Sequence, residues 1–150
     1  MSTPNPEQRL AIEHFGGVLL KAGAGSGKTF VLKEHIIFLT NDLIAKSLAR
    51  GESLSDFGLE IKKLYRRTVL VTFTKKAAGE LEIRLLNEFK LMANGSDTEN
   101  KEHWIEALSA LDYLNVSTIH GFCFKLIKLG VFEGISAEDE ILSESEFQFI

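Results

Sequence analysis

A single cysteine, Cys123, stands among the 150 residues. That excludes an internal disulfide and a CxxC metal clip, and it fits a reducing compartment, the cytoplasm. Cys123 is then expected to be a small buried residue. Long apolar runs are also missing, and the longest spans only a few residues. A bilayer-crossing helix needs about 20, so no membrane partner is expected. The opening Met1-Ser2-Thr3-Pro4-Asn5-Pro6 lacks both the basic start and the apolar stretch of a secretory leader. No internal repeat or low-complexity tract is present. An excess of positive charge is lacking too, the formal net charge being −4. Six carboxylates lie after residue 130 with no Lys or Arg among them, which leaves residues 1–130 with 17 basic against 15 acidic side chains. A net +2 there permits a nucleic-acid partner without demanding one. What remains, 45% apolar and 25% charged, is the composition of one globular domain of ordinary size.

Against this plain background one stretch stands out, Ala22-Gly23-Ala24-Gly25-Ser26-Gly27-Lys28-Thr29. It fits G-x-x-x-x-G-K-[ST] with Ala22 in the first place. Val18-Leu19-Leu20 before it suits a buried parallel strand, and Phe30, Val31, Glu34, Ile37 and Phe38 after it keep helical spacing. Glycines let the backbone wrap a phosphate, and the amides of residues 24–29 then point inward at a helix N-terminus. In this reading Ala24, Gly25, Ser26, Gly27, Lys28 and Thr29 hold the phosphates of ATP, Lys28 reaching the β- and γ-groups and the Thr29 hydroxyl ligating Mg²⁺.

Around the loop the chain alternates helices and strands. Residues 4–14 predict a helix with Asn5 as N-cap, Pro6 at the first position and Gln8 completing a capping box. Gln8 has a second reading, as an amide pairing with an adenine edge. The loop helix is expected to run to about Thr40. Residues 41–66 read as a long polar insertion with helical patches, whose Lys62, Lys63, Arg66 and Arg67 form a solvated face or touch a phosphate backbone. Thr68–Phe73 predicts a strand. Thr74 caps a helix over 75–92 that buries Ala78, Leu81, Leu85 and Phe89. A helix over 102–111 is expected to bury Trp104, Ile105, Leu108 and Leu111. Residues 115–119 predict a third strand, followed by a helix burying Phe122, Leu126, Ile127 and Leu129. The whole is an α/β parallel sheet flanked by helices.

Four segments, in this order, resemble the N-terminal ATPase domain of UvrD/Rep-like superfamily 1 DNA helicases. Asn5-Pro6-Glu7-Gln8 resembles the Q motif and Ala22–Thr29 resembles motif I. Thr72-Phe73-Thr74-Lys75-Lys76-Ala77-Ala78-Gly79-Glu80-Leu81, with Arg84, resembles motif Ia. Ser117-Thr118-Ile119-His120-Gly121-Phe122-Cys123 resembles motif Ib. The long 41–66 stretch and the wording of the last motif lean toward RecB/AddA helicase–nuclease subunits. Lys75 departs from the usual Asn or Glu.

The resemblance implies a RecA-like P-loop NTPase fold, domain 1A, over residues 1–135, with the acidic residues 136–150 leading toward a 1B subdomain. It makes Gln8 the adenine reader and gives Arg84 to nucleotide or DNA, beside the bland reading of an Arg84–Glu80 pair on one helix. It places Thr72, Phe73, Thr74, Thr118 and His120 along single-stranded DNA and implies 3′-to-5′ translocation in repair or recombination. Read without the family, Phe73 is a core residue. The implied partners are a second RecA-like domain in the remainder of the same protein and a nuclease subunit or domain. Phosphoryl transfer also needs a strand ending in Asp-Glu and an arginine finger. Asp139-Glu140 follows no apolar strand, so the 150 residues are expected to be an N-terminal fragment that does not hydrolyse ATP alone. The rival readings are a small-molecule or nucleotide kinase, against which no Arg-rich lid is present, and a non-catalytic nucleotide-sensing module that binds DNA.

Overall fold

A computed structural model describes residues 3–15, 27–95 and 98–131. The expected strand at 18–20, the loop residues Ala24, Gly25 and Ser26, and the acidic 136–150 segment lie outside the described residues. Helix α1 (Pro6–Ile12) opens with the capping box that the sequence encodes. The Gln8 N–H donates to Asn5 Oδ1 at 2.8 Å, and the Asn5 N–H donates to Gln8 Oε1 at 3.0 Å. Helix α2 (Lys28–Arg50) continues well past Thr40. Ile44 and Ser47 prolong its buried face, and Gly51, at φ 62°, ends it in the left-handed conformation that glycine accepts. At about 1.5 Å per residue, this helix is about 35 Å long.

The expected polar insertion is therefore half helix α2 and half a helix of its own, α3 (Leu54–Arg66), capped by Ser53. Phe57, Ile61 and Tyr65, spaced four apart, are 0%, 0% and 1% exposed. Each such burial contributes roughly 2 kcal/mol, so α3 is part of the core rather than an appendage. Strand β1 (Val69–Thr72) leads through helices α4 (Lys75–Gly95) and α5 (Thr98–Ser109) and a 3₁₀ turn at Leu111–Tyr113 to strand β2 (Asn115–Thr118). The two strands pair in parallel, Val69 with Asn115 through to Thr72 with Thr118. Helix α6 (Ile119–Lys128) follows without a loop.

The core joins Ile36, Ile37 and Ile44 of α2, the α3 trio, Leu70, the α4 face Leu81, Leu85, Phe89 and Ala93, and Trp104 with Ala107 of α5. Phe89 meets the Trp104 ring edge-on at 5.2 Å. Thr40 is fully buried; its hydroxyl donates to the Ile36 carbonyl and receives the Tyr65 hydroxyl, both at 2.8 Å. Three expectations about burial need correction. Ile105 is exposed because the buried face of α5 runs through Trp104 and Ala107. Among the described residues helix α6 packs chiefly on the two strands, and Phe122, Leu126 and Ile127 are half-buried while Leu129 is exposed. Cys123, on the outer side of that helix, is exposed rather than buried. Among the described residues no helix is long and apolar enough to cross a membrane.

Candidate functional site

The start of α2 is where the nucleotide-site expectations meet. Gly27 precedes the helix at φ 83°, and a side chain there would put its Cβ 3.0 Å from Gln8 Nε2. Positive φ and close approach together restrict this position to glycine. They also bring Gln8, an expected site residue from α1, against Gly27. Gln8 thus bears out the cap reading through its Oε1, while its Nε2 faces Gly27. Helix α1 is held in place by the His35 imidazole of α2, whose Nδ1 donates to the Ile12 carbonyl at 2.6 Å, and by Phe15 against Phe38, rings 5.1 Å apart.

The first turn of α2 has no acidic residue and no side-chain cap, so its amide end keeps the positive field that suits an anion. Lys28 is exposed there, and Thr29 is half-buried in a cleft of ≈ 270 Å³ shared with Phe30, Lys33, Arg84, Asn87 and Glu88. A cationic side chain and a hydroxyl at a capless helix N-terminus fit the phosphates of a nucleotide and a hard cation. Among the described residues no cluster of His, Cys, Asp and Glu forms a metal site of its own.

Arg84 faces this cleft from α4 and lies 3.8 Å from Glu80, one helical turn back. Both readings of Arg84 therefore persist in the geometry. Sequence reasoning missed the pair beneath it, in which Lys33 Nζ donates to Glu88 at 2.5 Å and lies 2.9 Å from Glu34. Burial by itself would lower the Lys33 ammonium, but the hydrogen bonds it donates to Glu88 and Glu34, with their charges, hold it above its ordinary value. The signal was present as spacing, since Thr29 and Lys33, like Arg84 and Glu88, are one turn apart on a helix.

The expected DNA residues gather at a second place, the C-terminal ends of the parallel strands. Thr72 and Thr118 are register partners, and α4 and α6 begin side by side just beyond them. The Thr74 hydroxyl accepts the Ala77 N–H at 3.1 Å, and the Thr118 hydroxyl accepts the Gly121 N–H at 3.1 Å. Both threonines are thus helix caps. Thr72 donates to the Thr74 carbonyl at 3.0 Å and fixes the turn between strand and helix. Phe73 sits at that turn, 89% exposed, which rules out the core reading of its ring. His120 is exposed on the first turn of α6. In parallel α/β sheets this end of the strands is where ligands bind.

The family described as UvrD/REP helicase N-terminal domain matches residues 4–146. The A subunit of the ATP-dependent helicase/nuclease of Ligilactobacillus salivarius is 34% identical over 125 residues, which is 82% of this chain and 8% of that protein. The protein of the same name from Natranaerobius thermophilus is 34% identical over 122 residues, 81% of this chain and 8% of its own. The exonuclease/helicase subunit RexA of Lactococcus lactis subsp. cremoris is 35% identical over 125 residues, 82% of this chain and 9% of its own. The chain thus spans less than a tenth of the length of these relatives. With a match over nearly its full length, the chain belongs to the UvrD/REP helicase N-terminal domain family.

Proposed function

We propose that the chain is the nucleotide-binding start of an ATP-dependent DNA helicase of the helicase/nuclease type, built on a RecA-like P-loop domain over residues 1–135. The observation that carries this reading is the convergence of Gln8, Gly27, Lys28 and Thr29 at the N-terminus of α2. Gln8 reads the adenine edge. Ala24, Gly25, Ser26 and Gly27 wrap the phosphates, Lys28 holds their negative charge, and the Thr29 hydroxyl ligates Mg²⁺. ATP supplies the phosphoanhydride whose cleavage drives movement. Arg84 borders the same cleft as Thr29 and lends it positive charge.

The strand-end surface is assigned to single-stranded DNA. Phe73 offers an exposed ring on which a base stacks, and His120 and the caps at Thr74 and Thr118 present helix N-termini to the phosphates. Movement is assigned 3′ to 5′ in repair or recombination, with a second RecA-like domain and a nuclease domain or subunit as partners, in the cytoplasm. The 150 residues contain no apolar strand ending in Asp-Glu, so by themselves they bind nucleotide without useful turnover.

The test is ATP hydrolysis by the full-length product with and without single-stranded DNA. Hydrolysis should rise at least about tenfold with DNA and vanish in Lys28→Ala, since phosphate-clamping charges are worth orders of magnitude in rate. Phe73→Ala should weaken single-strand binding about tenfold, the worth of one stacked base, without moving the melting temperature. Hydrolysis indifferent to DNA would overturn the motor reading.

A further inference from the structure

Helix α3 carries a basic groove that the motor leaves unused. Lys62, Lys63, Arg66 and Arg67 line a concavity of ≈ 450 Å³ together with Leu59, which is 67% exposed. Two of the four cations are held in place. Lys62 donates to Glu106 at 3.0 Å, and the Arg66 guanidinium lies 4.5 Å from the centre of the Tyr113 ring. The side chains of Lys63 and Arg67 are exposed and form no ion pair among the described residues. Four cations against one carboxylate, on a chain of net charge −4, make a local field opposite to the molecule's average.

The groove also lies at the wrong end of the sheet to be part of the strand-end surface. Arg67 precedes β1, whereas Phe73 follows it, and four residues of strand separate them by about 13 Å. Among the described residues no aromatic ring lines the groove, and the neighbouring Tyr113 is stacked under Arg66. Bases of a single strand therefore find nothing to stack on there, while a phosphate backbone finds positioned charge.

The geometry points to this groove as a sequence-independent seat for the backbone of duplex DNA, distinct from the single-strand surface at Phe73. The choice of a nucleic-acid occupant rests on the motor reading above. The test is anisotropy of a labelled short blunt duplex and of a labelled single strand, titrated with salt between about 50 and 200 mM. Lys63→Gln/Arg67→Gln should weaken duplex binding at least about tenfold and lower the slope of log affinity on log salt by about 2, one unit for each phosphate left without its cation. The melting temperature should stay put, which a purely structural role at the end of α3 would not allow. Phe73→Ala should spare the duplex and weaken only the single strand. Duplex affinity and salt slope unchanged in Lys63→Gln/Arg67→Gln would overturn the proposal, as would an equal loss on both DNAs. Charge-insensitive duplex binding beside Phe73-dependent single-strand binding would fault the groove alone. Charge-sensitive duplex binding without single-strand binding would fault the motor reading and leave the groove standing.

Discussion

Gln8 shows how one side chain can face two ways because its amide has two different ends. The oxygen accepts the Asn5 N–H and closes the capping box, and the nitrogen faces Gly27. Gln8→Glu separates them, since a carboxylate caps as well as an amide but cannot donate. The substitution should leave the melting temperature within the range of a surface change, about 0.5 kcal/mol. It should weaken ATP binding about tenfold in calorimetric titration, the cost of an unmet hydrogen bond at the base. Wild-type affinity in that variant would reduce Gln8 to a cap. The cap was legible in the sequence because Asn5, Pro6 and Gln8 are neighbours. The approach to Gly27 was not, because nearly twenty residues separate the two positions in the chain.

Among the elements, α2 and α4 matter most, since one begins at the proposed nucleotide site and the other at the proposed single-strand surface. They are tied by the Lys33–Glu88 pair, whose side chains are 12% and 18% exposed. Lys33→Met leaves Glu88 half-buried without its cation. A fully buried pair broken on one side costs about 3–5 kcal/mol, and solvent at this one cuts the expected loss to about 1–3 kcal/mol. Urea unfolding should read that loss, and Lys33→Met/Glu88→Met should recover most of it. A single variant as stable as the double would show that the pair holds nothing together. The helices themselves were partly legible. Ala78, Leu81, Leu85 and Phe89 form the buried face that their spacing promises. Residues 41–66 misled because their average composition is polar, which hid the i, i+4 pattern of Phe57, Ile61 and Tyr65. Helix α6 misled in the other direction, since an apolar pattern says which face can be buried but not whether anything covers it.

For the whole molecule, the hydrogen bond from Tyr65 to Thr40 joins α3 to α2 at the centre of the core. Burial pushes the Tyr65 hydroxyl well above its ordinary value, and the Thr40 bond opposes this only in part. A group that holds its proton more tightly when folded stabilises fully below its unfolded pKa and less as pH climbs past it. Tyr65 and Lys33 both have this sign, with unfolded values near about 10. Stability should thus show no loss from these two groups between neutral pH and about 9, then fall steeply above about 10. Tyr65→Phe should blunt that alkaline fall at a cost of about 1 kcal/mol at neutral pH, as followed by circular dichroism against urea. An unaltered alkaline limb in the variant would assign the fall to other groups. The parallel alternation of strand and helix could be read from the sequence, as could the residues at each strand end. Which strand ends meet could not, since the Thr72–Thr118 pairing exists only once α4 and α5 have packed.

The exposed thiol of Cys123 has a practical consequence. It lies one turn after His120 on α6, so their Cβ atoms are about 5–6 Å apart. As the sole cysteine of these 150 residues, it accepts a maleimide fluorophore at one defined point beside the strand-end surface, with no engineered mutation. The unmodified sequence thus carries its own attachment point for an optical reporter, one whose emission would register an oligonucleotide arriving at Phe73 in real time.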